Sequence, residues 1–216
     1  MNIRIFIDID GVLAKFNKYA TSEQLETAEY YEQLEEDPFA KTLALNLAKK
    51  GKKVELFGKF INEEAKRGKL NWIKKVGLDS IPVTFIPYGA DKSEYLPRER
   101  WTRNILLDDY TQNLREWQRS GNIGVKYLNG INGTNGTWKG MVVDPSAISA
   151  TTAEDCLCVA GMDEINFVKY LTEKLNSNER SMDEVKQLVH AFAVGFAPRA
   201  TASGIDFLEK EIMKQI

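Results

Sequence analysis

The sequence is poor in the residues that most metal and redox chemistry uses. Its 216 residues include one histidine, His190, and two cysteines, Cys156 and Cys158. A single histidine excludes sites built from several imidazole ligands, and the Cys-x-Cys spacing fits neither a zinc knuckle nor a redox Cys-x-x-Cys pair. We therefore expect buried free thiols and a structural histidine within a helix. A metal site in this chain would use carboxylates and a hard cation.

The sequence also lacks a long apolar run and a strong excess of charge. No run approaches the ~18 residues that a membrane helix requires, and Asp8 and Asp10 interrupt the apolar start of the chain, unlike a signal peptide. We therefore expect a cytoplasmic protein with no membrane partner. The net charge of 29 − 31 = −2 argues against a protein that coats polymeric nucleic acid.

Apolar, β-branched runs separated by helical patterns predict an α/β fold. Strands that alternate with helices build a mostly parallel sheet with helices on both faces. The predicted strands are 3–7, 53–57, 83–87, 104–107 and 124–128, and the predicted helices between them lie in 14–37, 38–50, 61–76 and 111–120. A segment rich in Asn-Gly and Gly-Thr pairs, 126–144, then predicts a β-hairpin or a loop.

Length and charge divide the chain into a core and a helical extension. At 216 residues it exceeds a typical ~150-residue domain by about half. Residues 1–144 carry every candidate site and a charge of 22 − 20 = +2, and within them residues 14–38 form a short helical cap insert. Residues 145–216 carry 7 − 11 = −4 and predict helices alone. We interpret them as a packed extension, with an oligomer or partner surface as the alternative.

A pair of carboxylates at the end of the first predicted strand is the strongest local feature. Asp8 and Asp10 are two residues apart and therefore share one face, and Gly11 permits a sharp turn close to a ligand. Two such carboxylates can hold Mg²⁺, or act as a nucleophile and a proton donor. The alternative is a strand that ends in two solvated acids. The fourth strand also ends in acids, Asp108 and Asp109, and parallel strands deliver both pairs to the same edge.

These residues resemble motif I of the haloacid dehalogenase (HAD) superfamily, DxDGV. Lys92, in the segment IPYGADKSEYL, resembles the motif III lysine of that superfamily. Asp108 and Asp109, in ILLDDYTQNLREW, resemble its acidic motif IV. Within the superfamily the chain is most similar to the 5′-nucleotidase and 5′(3′)-deoxyribonucleotidase group. The resemblance covers roughly residues 1–144, and it implies a HAD-like, Rossmann-like sheet.

The resemblance implies a Mg²⁺-dependent phosphatase that forms an aspartyl-phosphate intermediate. By position, Asp8 is the nucleophile, Asp10 protonates the leaving group and then activates water, and Lys92 neutralises the phosphoryl oxygens. Mg²⁺ is held by Asp8, by the backbone carbonyl of Asp10 and by an acid at Asp108 or Asp109. The implied substrate is a nucleoside 5′-monophosphate or a similar small phosphate ester. The chemistry is consistent, since an anionic carboxylate attacks an anionic phosphate only when cations offset the repulsion.

One departure from the family pattern concerns motif II, a strand that ends in Ser or Thr. Here the second predicted strand continues into Gly58 and Lys59, so the hydroxyl is missing. The backbone N–H of Gly58 and the ammonium group of Lys59 remain as phosphate-binding candidates, beside Gly11 and Lys92. A lost transition-state hydrogen bond costs about 2–4 kcal/mol. The alternative function is therefore a catalytically impaired protein that binds phosphate or nucleotide. Gly58→Ser is expected to raise the rate if the missing hydroxyl limits it, and an unchanged rate would show that other groups compensate.

Aromatic residues in the insert are candidates for stacking on a nucleotide base. Phe16 lies where the resemblance implies an aromatic against the base, with packing inside the insert as the open alternative. Tyr19, Tyr30 and Tyr31 are expected to pack the insert onto the core.

A receiver domain also combines an acid pair, an acceptor Asp and a Lys. It requires its acceptor at the end of the third strand, and here the strand 83–87 ends without an acid.

Overall fold

A single six-stranded sheet organises the molecule. This computed structural model describes residues 2–97, 99, 102–133, 137, 138, 140–176, 181–196 and 202–214. The strands are β1 (Asn2–Ile7), β2 (Lys53–Phe60), β3 (Val83–Pro87), β4 (Thr102–Asp108), β5 (Ile123–Tyr127) and β6 (Val142–Val143). All neighbouring strands run parallel, so the predicted α/β fold is confirmed. Trp101, expected in or near the core, and Pro198, expected to separate the last two helices, lie outside the described residues.

The strand order fixes where a ligand can bind. It runs β3-β2-β1-β4-β5-β6, the Rossmann-type order, whereas receiver domains use 2-1-3-4-5. The chain therefore reverses direction across the sheet between β1 and β4. Ligands in such sheets bind beyond the carboxyl ends of the strands at this switch point. The topology thus excludes a receiver domain and marks the ends of β1 and β4.

The register of β1 and β4 brings their carboxyl ends level. Ile7 pairs with Leu107, and the backbone N–H of Asp8 donates to the Leu107 carbonyl at 2.9 Å. The next residues, Asp8 and Asp108, therefore leave the sheet side by side.

Helices cover both faces of the sheet. They are α1 (Ser22–Leu25), α2 (Ala28–Glu32), α3 (Pro38–Lys49), α4 (Glu63–Lys75), α5 (Thr111–Arg119), α6 (Ala150–Ala160), α7 (Glu164–Asn176), α8 (Met182–Phe196) and α9 (Ala202–Met213). The first two lie in the predicted insert. Pro38 begins α3 behind Asp37, whose carboxylate accepts from the Ala40 N–H at 3.0 Å. No helix among the described residues is long and apolar enough to cross a membrane.

The sheet separates two apolar clusters. On one face Phe6 packs with Phe57, Leu106 and Trp117. On the other face Ile5 and Ile7 join a larger cluster that includes α3, α6 and α8. The helices after residue 145 therefore share the main core of the sheet rather than forming a separate one. The predicted boundary at residue 144 stays a prediction.

Three local expectations meet the structure differently. For the segment 126–144 the hairpin alternative is wrong, because β6 pairs parallel to β5, and the loop alternative is the one left. Helix α6 was not distinguished in the sequence, whose helical pattern lacked a visible start there. In α4, the spacing of Leu70, Ile73 and Val76 predicts one buried face, but Leu70 is 42% exposed because Gly68 and Trp72 provide the contact face instead.

The scarce residues behave as expected. Cys156 and Cys158 are buried and form no disulfide, and burial raises the pKa of Cys158 to about 11. His190 lies in α8, partly exposed, and pairs with Glu209 of α9.

Candidate active site

Three buried carboxylates meet at the carboxyl edge of the sheet. Asp8 follows β1, Asp108 is the last residue of β4, and Asp109 follows it. One oxygen from each lies within 4.8 Å of the other two. The three residues are 6%, 0% and 3% exposed. Burying three acids so close together requires compensating positive charge.

Lys92 supplies the first compensating charge. It begins the 3₁₀ helix Lys92–Tyr95 after β3, where Asp91 caps the turn by accepting from the Ser93 N–H at 2.8 Å. Its Nζ donates to Asp8 Oδ1 at 2.7 Å and to Asp108 Oδ2 at 2.8 Å. The residue is 1% exposed. Lys92 therefore bridges the two strand ends that the register aligns.

The titration behaviour of the cluster shows that one lysine is not enough. Burial, followed by the charge of Asp108, raises the pKa of Asp8 to about 8, although Lys92 opposes the shift. Burial and Asp108 also raise the pKa of Asp109 to about 6. Burial lowers the pKa of Lys92, but the two carboxylates more than reverse this. The uncompensated negative charge favours binding of a further cation.

The donor set of the cluster fits Mg²⁺. All available ligand atoms are carboxylate oxygens, which suit a hard divalent cation, and Mg²⁺ binds through a few carboxylates plus water and substrate phosphate. Asp8, Asp108 and Asp109 would hold it. The carboxylate of Asp10 is outside this cluster, because its Oδ2 contacts the ammonium group of Lys69. The metal role that the resemblance implies for Asp10 is that of its backbone carbonyl.

Two hydrogen bonds, in addition to the one from Lys92, fix the carboxylate of Asp108. Its Oδ1 accepts from the Tyr110 N–H at 2.7 Å, and its Oδ2 accepts from Asn113 Nδ2 at 2.9 Å. Asn113 Oδ1 in turn accepts from Lys59 Nζ at 2.9 Å. Lys59, a predicted phosphate-binding residue, is thus connected to the carboxylate cluster through one amide.

The loop after β5 holds Asp109. Its Oδ2 accepts from Asn129 Nδ2 and from Asn132 Nδ2, each at 2.7 Å. Asn129 Nδ2 also donates to the Gly11 carbonyl at 2.7 Å. A Cβ at Gly11, which has φ +83°, would lie 2.3 Å from Asp109 Oδ2. Gly11 is therefore required by both its conformation and the close approach of Asp109.

Lys126 supports the same strand end from β5. Its Nζ donates to the Asp109 carbonyl and, at 3.0 Å, to Thr111 Oγ1. Burial lowers the pKa of this lysine. It holds the backbone between β4 and α5.

Positions 58 and 59 point to opposite sides of β2, as alternating strand residues must. A Cβ at Gly58 would lie 2.7 Å from Ile9 Cδ1 and 2.9 Å from Phe85 Cε1. Lys59 instead reaches Asn113 on the side of Asp108. A serine side chain at position 58 would therefore point into the apolar layer formed by Ile9 and Phe85, away from Lys59 and Asp108. This geometry opposes the expectation that Gly58→Ser raises the rate.

Three aromatic side chains of the insert pack against one another. Phe16 is half-buried and meets Tyr30 edge to face at 6.4 Å between ring centroids, and Tyr31 is buried beside Tyr30. Tyr19 is 79% exposed, so the expected packing is wrong for that residue. The contact with Tyr30 matches the packing alternative for Phe16, and a base-stacking role stays a prediction.

Five polar residues of this edge were not identified from the sequence. Lys126 had a usable signal, because a lysine within the apolar strand Ile123–Tyr127 must find a buried partner. In the sequence, Asn129 and Asn132 are typical turn residues, and this hides their second role as partners of Asp109. The other two lie on helix faces whose orientation the pattern does not fix. The set is Lys69, Asn113, Lys126, Asn129 and Asn132.

No protein-family model matches the chain, and no curated protein sequence matches it. Among solved structures, the chain is similar to part of the Pnkp1/Rnl/Hen1 RNA repair complex, with 17% identity and a TM-score of 0.47 over 58% of this chain. That match spans 42% of the other chain, less than half its length.

Two further structures are similar to this chain. One is D,D-heptose 1,7-bisphosphate phosphatase from B. bronchiseptica complexed with magnesium and phosphate, at 14% identity and a TM-score of 0.43 over 60% of this chain and 83% of that one. The other is the HAD domain of the effector protein Lem4 from Legionella pneumophila (inactive mutant), at 14% identity and a TM-score of 0.38 over 61% and 86%. At such identities the likeness concerns only the path of the chain, so what this site can do has to follow from its own residues.

Proposed function

We propose that this chain is a HAD-type, Mg²⁺-dependent phosphomonoester hydrolase that works through an aspartyl-phosphate on Asp8. The single observation that carries the proposal is the position of Asp8. It lies at the topological switch point, bonded to buried Lys92 and beside Asp108 and Asp109. A carboxylate beside a buried lysine and a candidate Mg²⁺ site suits nucleophilic attack on phosphorus, because the cations would offset the charge repulsion.

The proposed reaction has two steps. The Asp8 carboxylate attacks phosphorus and forms an acyl-phosphate, the bond from phosphorus to the leaving oxygen breaks, and Asp10 gives its proton to that oxygen. Water then attacks the acyl-phosphate, Asp10 takes a proton from the water, and phosphate leaves with Asp8 regenerated. Bound Mg²⁺ supplies charge neutralisation of the phosphoryl group.

We propose that Lys59 takes over the phosphate contact that the family pattern gives to a hydroxyl. Its half-buried ammonium group lies on the same side of the sheet as Asp108, and burial together with the charge of Lys92 lowers its pKa. Lys92 and Lys59 would then both contact the phosphoryl oxygens, whereas Gly58 pairs with Phe85 in the ladder between β2 and β3.

Nucleoside 5′-monophosphates are the proposed substrates, on the strength of the sequence resemblance and of Phe16. The insert that would contact the leaving group is short, with helices of four and five residues. It therefore leaves room for a small ester. An oligomeric role for α7–α9 stays a prediction.

The missing hydroxyl at Gly58 favours a second candidate function, a non-catalytic phosphate- or nucleotide-binding protein. The two functions are separated by steady-state hydrolysis of a panel of nucleoside 5′-monophosphates with Mg²⁺, comparing the parent with Asp8→Asn. We expect turnover in the parent and its loss in Asp8→Asn. Nucleotide binding without turnover in the parent would establish the second function, and equal turnover in both proteins would exclude Asp8 as the nucleophile.

A further inference from the structure

A second buried lysine, Lys69 of α4, pairs with Asp10. Lys69 is 3% exposed. Its Nζ contacts Asp10 Oδ2 and donates to the Lys59 carbonyl at 2.6 Å. The ring of Tyr31 covers the ammonium group, with its centroid 4.6 Å from Nζ. The lysine therefore has an anion, a carbonyl and an aromatic face as partners, and water has little access to it.

The pairing divides the two oxygens of the Asp10 carboxylate. Oδ2 is taken by Lys69, whereas Oδ1 is buried and has no hydrogen-bond partner among the described residues. An unpaired buried carboxylate oxygen is costly, and such atoms are normally satisfied by a ligand or water. Lys69 therefore sets the rotation of the carboxylate and leaves Oδ1 for an incoming group.

The insert is docked onto the helix that carries Lys69. A Cβ at Gly68 would lie 2.4 Å from the Ala28 carbonyl, so the missing side chain lets α2 lie directly on α4. Asn62 Nδ2 donates to the Glu26 carbonyl at 3.0 Å, and Trp72 Nε1 donates to the Leu34 carbonyl at 2.8 Å. These contacts on either side of α2 hold Tyr31 in place over Lys69.

Tyr31 is itself fixed. Its hydroxyl donates to the Leu25 carbonyl at 2.9 Å, and its ring meets Tyr30 edge to face at 5.0 Å. The line of contacts thus runs from the insert through Tyr31 and Lys69 to the side chain of Asp10.

We propose that Lys69 is a positioning residue that orients Asp10 for proton transfer, and that the insert completes this contact through Tyr31. The inference rests on the proposed function, because it gives Asp10 a proton to move. It assigns the insert a second task besides contact with substrate. Small misplacements of a catalytic group cost about 10²-fold in rate, so fixing one carboxylate oxygen is a sufficient role.

The test is a double-mutant cycle on kcat with the whole protein. The variants are Lys69→Met, Asp10→Asn and the two combined, with exposed Lys74→Met on the same helix as the matched control. We expect Lys69→Met to lower kcat for a nucleoside 5′-monophosphate about 10- to 100-fold and to change KM far less. In the Asp10→Asn background the same substitution should lower kcat no further, because its effect passes through Asp10.

A second readout uses the leaving group. p-Nitrophenolate leaves with little help from a proton donor, so single-turnover phosphorylation by p-nitrophenyl phosphate should fall less in Lys69→Met than phosphorylation by the nucleotide. A merely structural lysine would slow both substrates alike and would add its loss to that of Asp10→Asn. Either result, in an active parent, overturns this inference and leaves the proposed function standing.

The remaining outcomes are also decisive. A parent without turnover on any ester overturns the proposed function and the inference together. If melting curves show that Lys69→Met is unfolded, Lys69→Arg replaces it in the cycle, since arginine keeps the charge but moves the donors. The same comparison of substrates and backgrounds then decides.

Discussion

The carboxyl edge of the sheet and the helices α6–α9 bury opposite kinds of side chain. The buried charged and polar residues of the described chain lie at the edge, except Thr152 and Glu154 of α6. Those at the edge are Asp8, Lys69, Lys92, Asp108, Asp109, Asn113 and Lys126. The helices instead contribute aliphatic and aromatic side chains, among them Leu157, Val185 and the stacked pair Phe167 and Phe192.

The difference indicates a division of labour. Burying charge opposes folding, and the raised pKa values of Asp8 and Asp109 are the direct sign of that cost. Burying apolar side chains favours folding. The helices thus provide stability that lets the edge keep unfavourable charges in place for a ligand. Each substitution below affects one region and should leave the other unchanged.

Lys92→Met should have the largest effect, and on both activity and stability. It removes the shared partner of Asp8 and Asp108, so we expect kcat to fall about 10²- to 10³-fold and the free energy of unfolding to fall by about 3–5 kcal/mol. Steady-state hydrolysis and urea denaturation measure the two effects. Unchanged kcat in a folded Lys92→Met protein would exclude Lys92 from the reaction.

Leu157→Ala should affect stability alone. Leu157 is fully buried in α6, so a cavity there should lower the free energy of unfolding by about 2–5 kcal/mol. At a temperature where the variant is folded, kcat should stay within about twofold of the parent, since α6 carries none of the proposed site residues. A large fall in kcat would show that the helices do more than stabilise the edge.

Mg²⁺ should stabilise the protein more at pH 8 than at pH 5. The pKa of Asp8 is raised to about 8, so in metal-free protein the stability that its proton provides is complete near pH 4 and is lost as the pH rises through 8. Protons and Mg²⁺ therefore compete for the same carboxylates.

At a hundredfold excess over Kd, Mg²⁺ should add about 2.7 kcal/mol at pH 8, and less at pH 5. Melting temperatures with and without Mg²⁺ measure this, and Asp109→Asn serves as a weakened site. An equal shift at both pH values would place the bound Mg²⁺ elsewhere.

Gly58→Ser should have the smallest effect and should not raise the rate. The added Cβ meets Ile9 and Phe85, so overpacking should lower the free energy of unfolding by about 1–3 kcal/mol. Lys59→Met, its neighbour on the other side of the strand, should instead lower kcat with little change in stability. A faster Gly58→Ser enzyme would show that the hydroxyl reaches the phosphate after all.

The sequence was sufficient to predict the features that depend on the periodicity of apolar residues and on the spacing of motif residues. Short apolar runs predicted five of the six strands, and the Asp-x-Asp-Gly pattern placed Asp8 and Asp10 at a strand end. Parallel pairing then explains why Asp108 and Asp109 meet Asp8. Such features depend on local chain geometry, which a sequence pattern contains.

Other features depend on long-range packing and were not predictable. β6 has two residues, too few to show an alternating pattern of apolar and polar side chains. α6 is buried along most of its length, so its apolar residues are not confined to one face of the helix. The pairing of Asp10 with Lys69 joins residues 59 positions apart in sequence. Which side of the sheet Gly58 and Lys59 each face depends on how β2 is oriented against its neighbouring strands. In both cases the deciding neighbour lies on another element.

The central claim is that Asp8 carries the phosphoryl group. It is tested most directly by quenching a single turnover, reducing the protein with borohydride and analysing residue 8 by mass spectrometry. Borohydride converts an aspartyl-phosphate to homoserine, so the account predicts homoserine at position 8, dependent on both substrate and Mg²⁺. Release of phosphate with residue 8 recovered only as aspartate would contradict it.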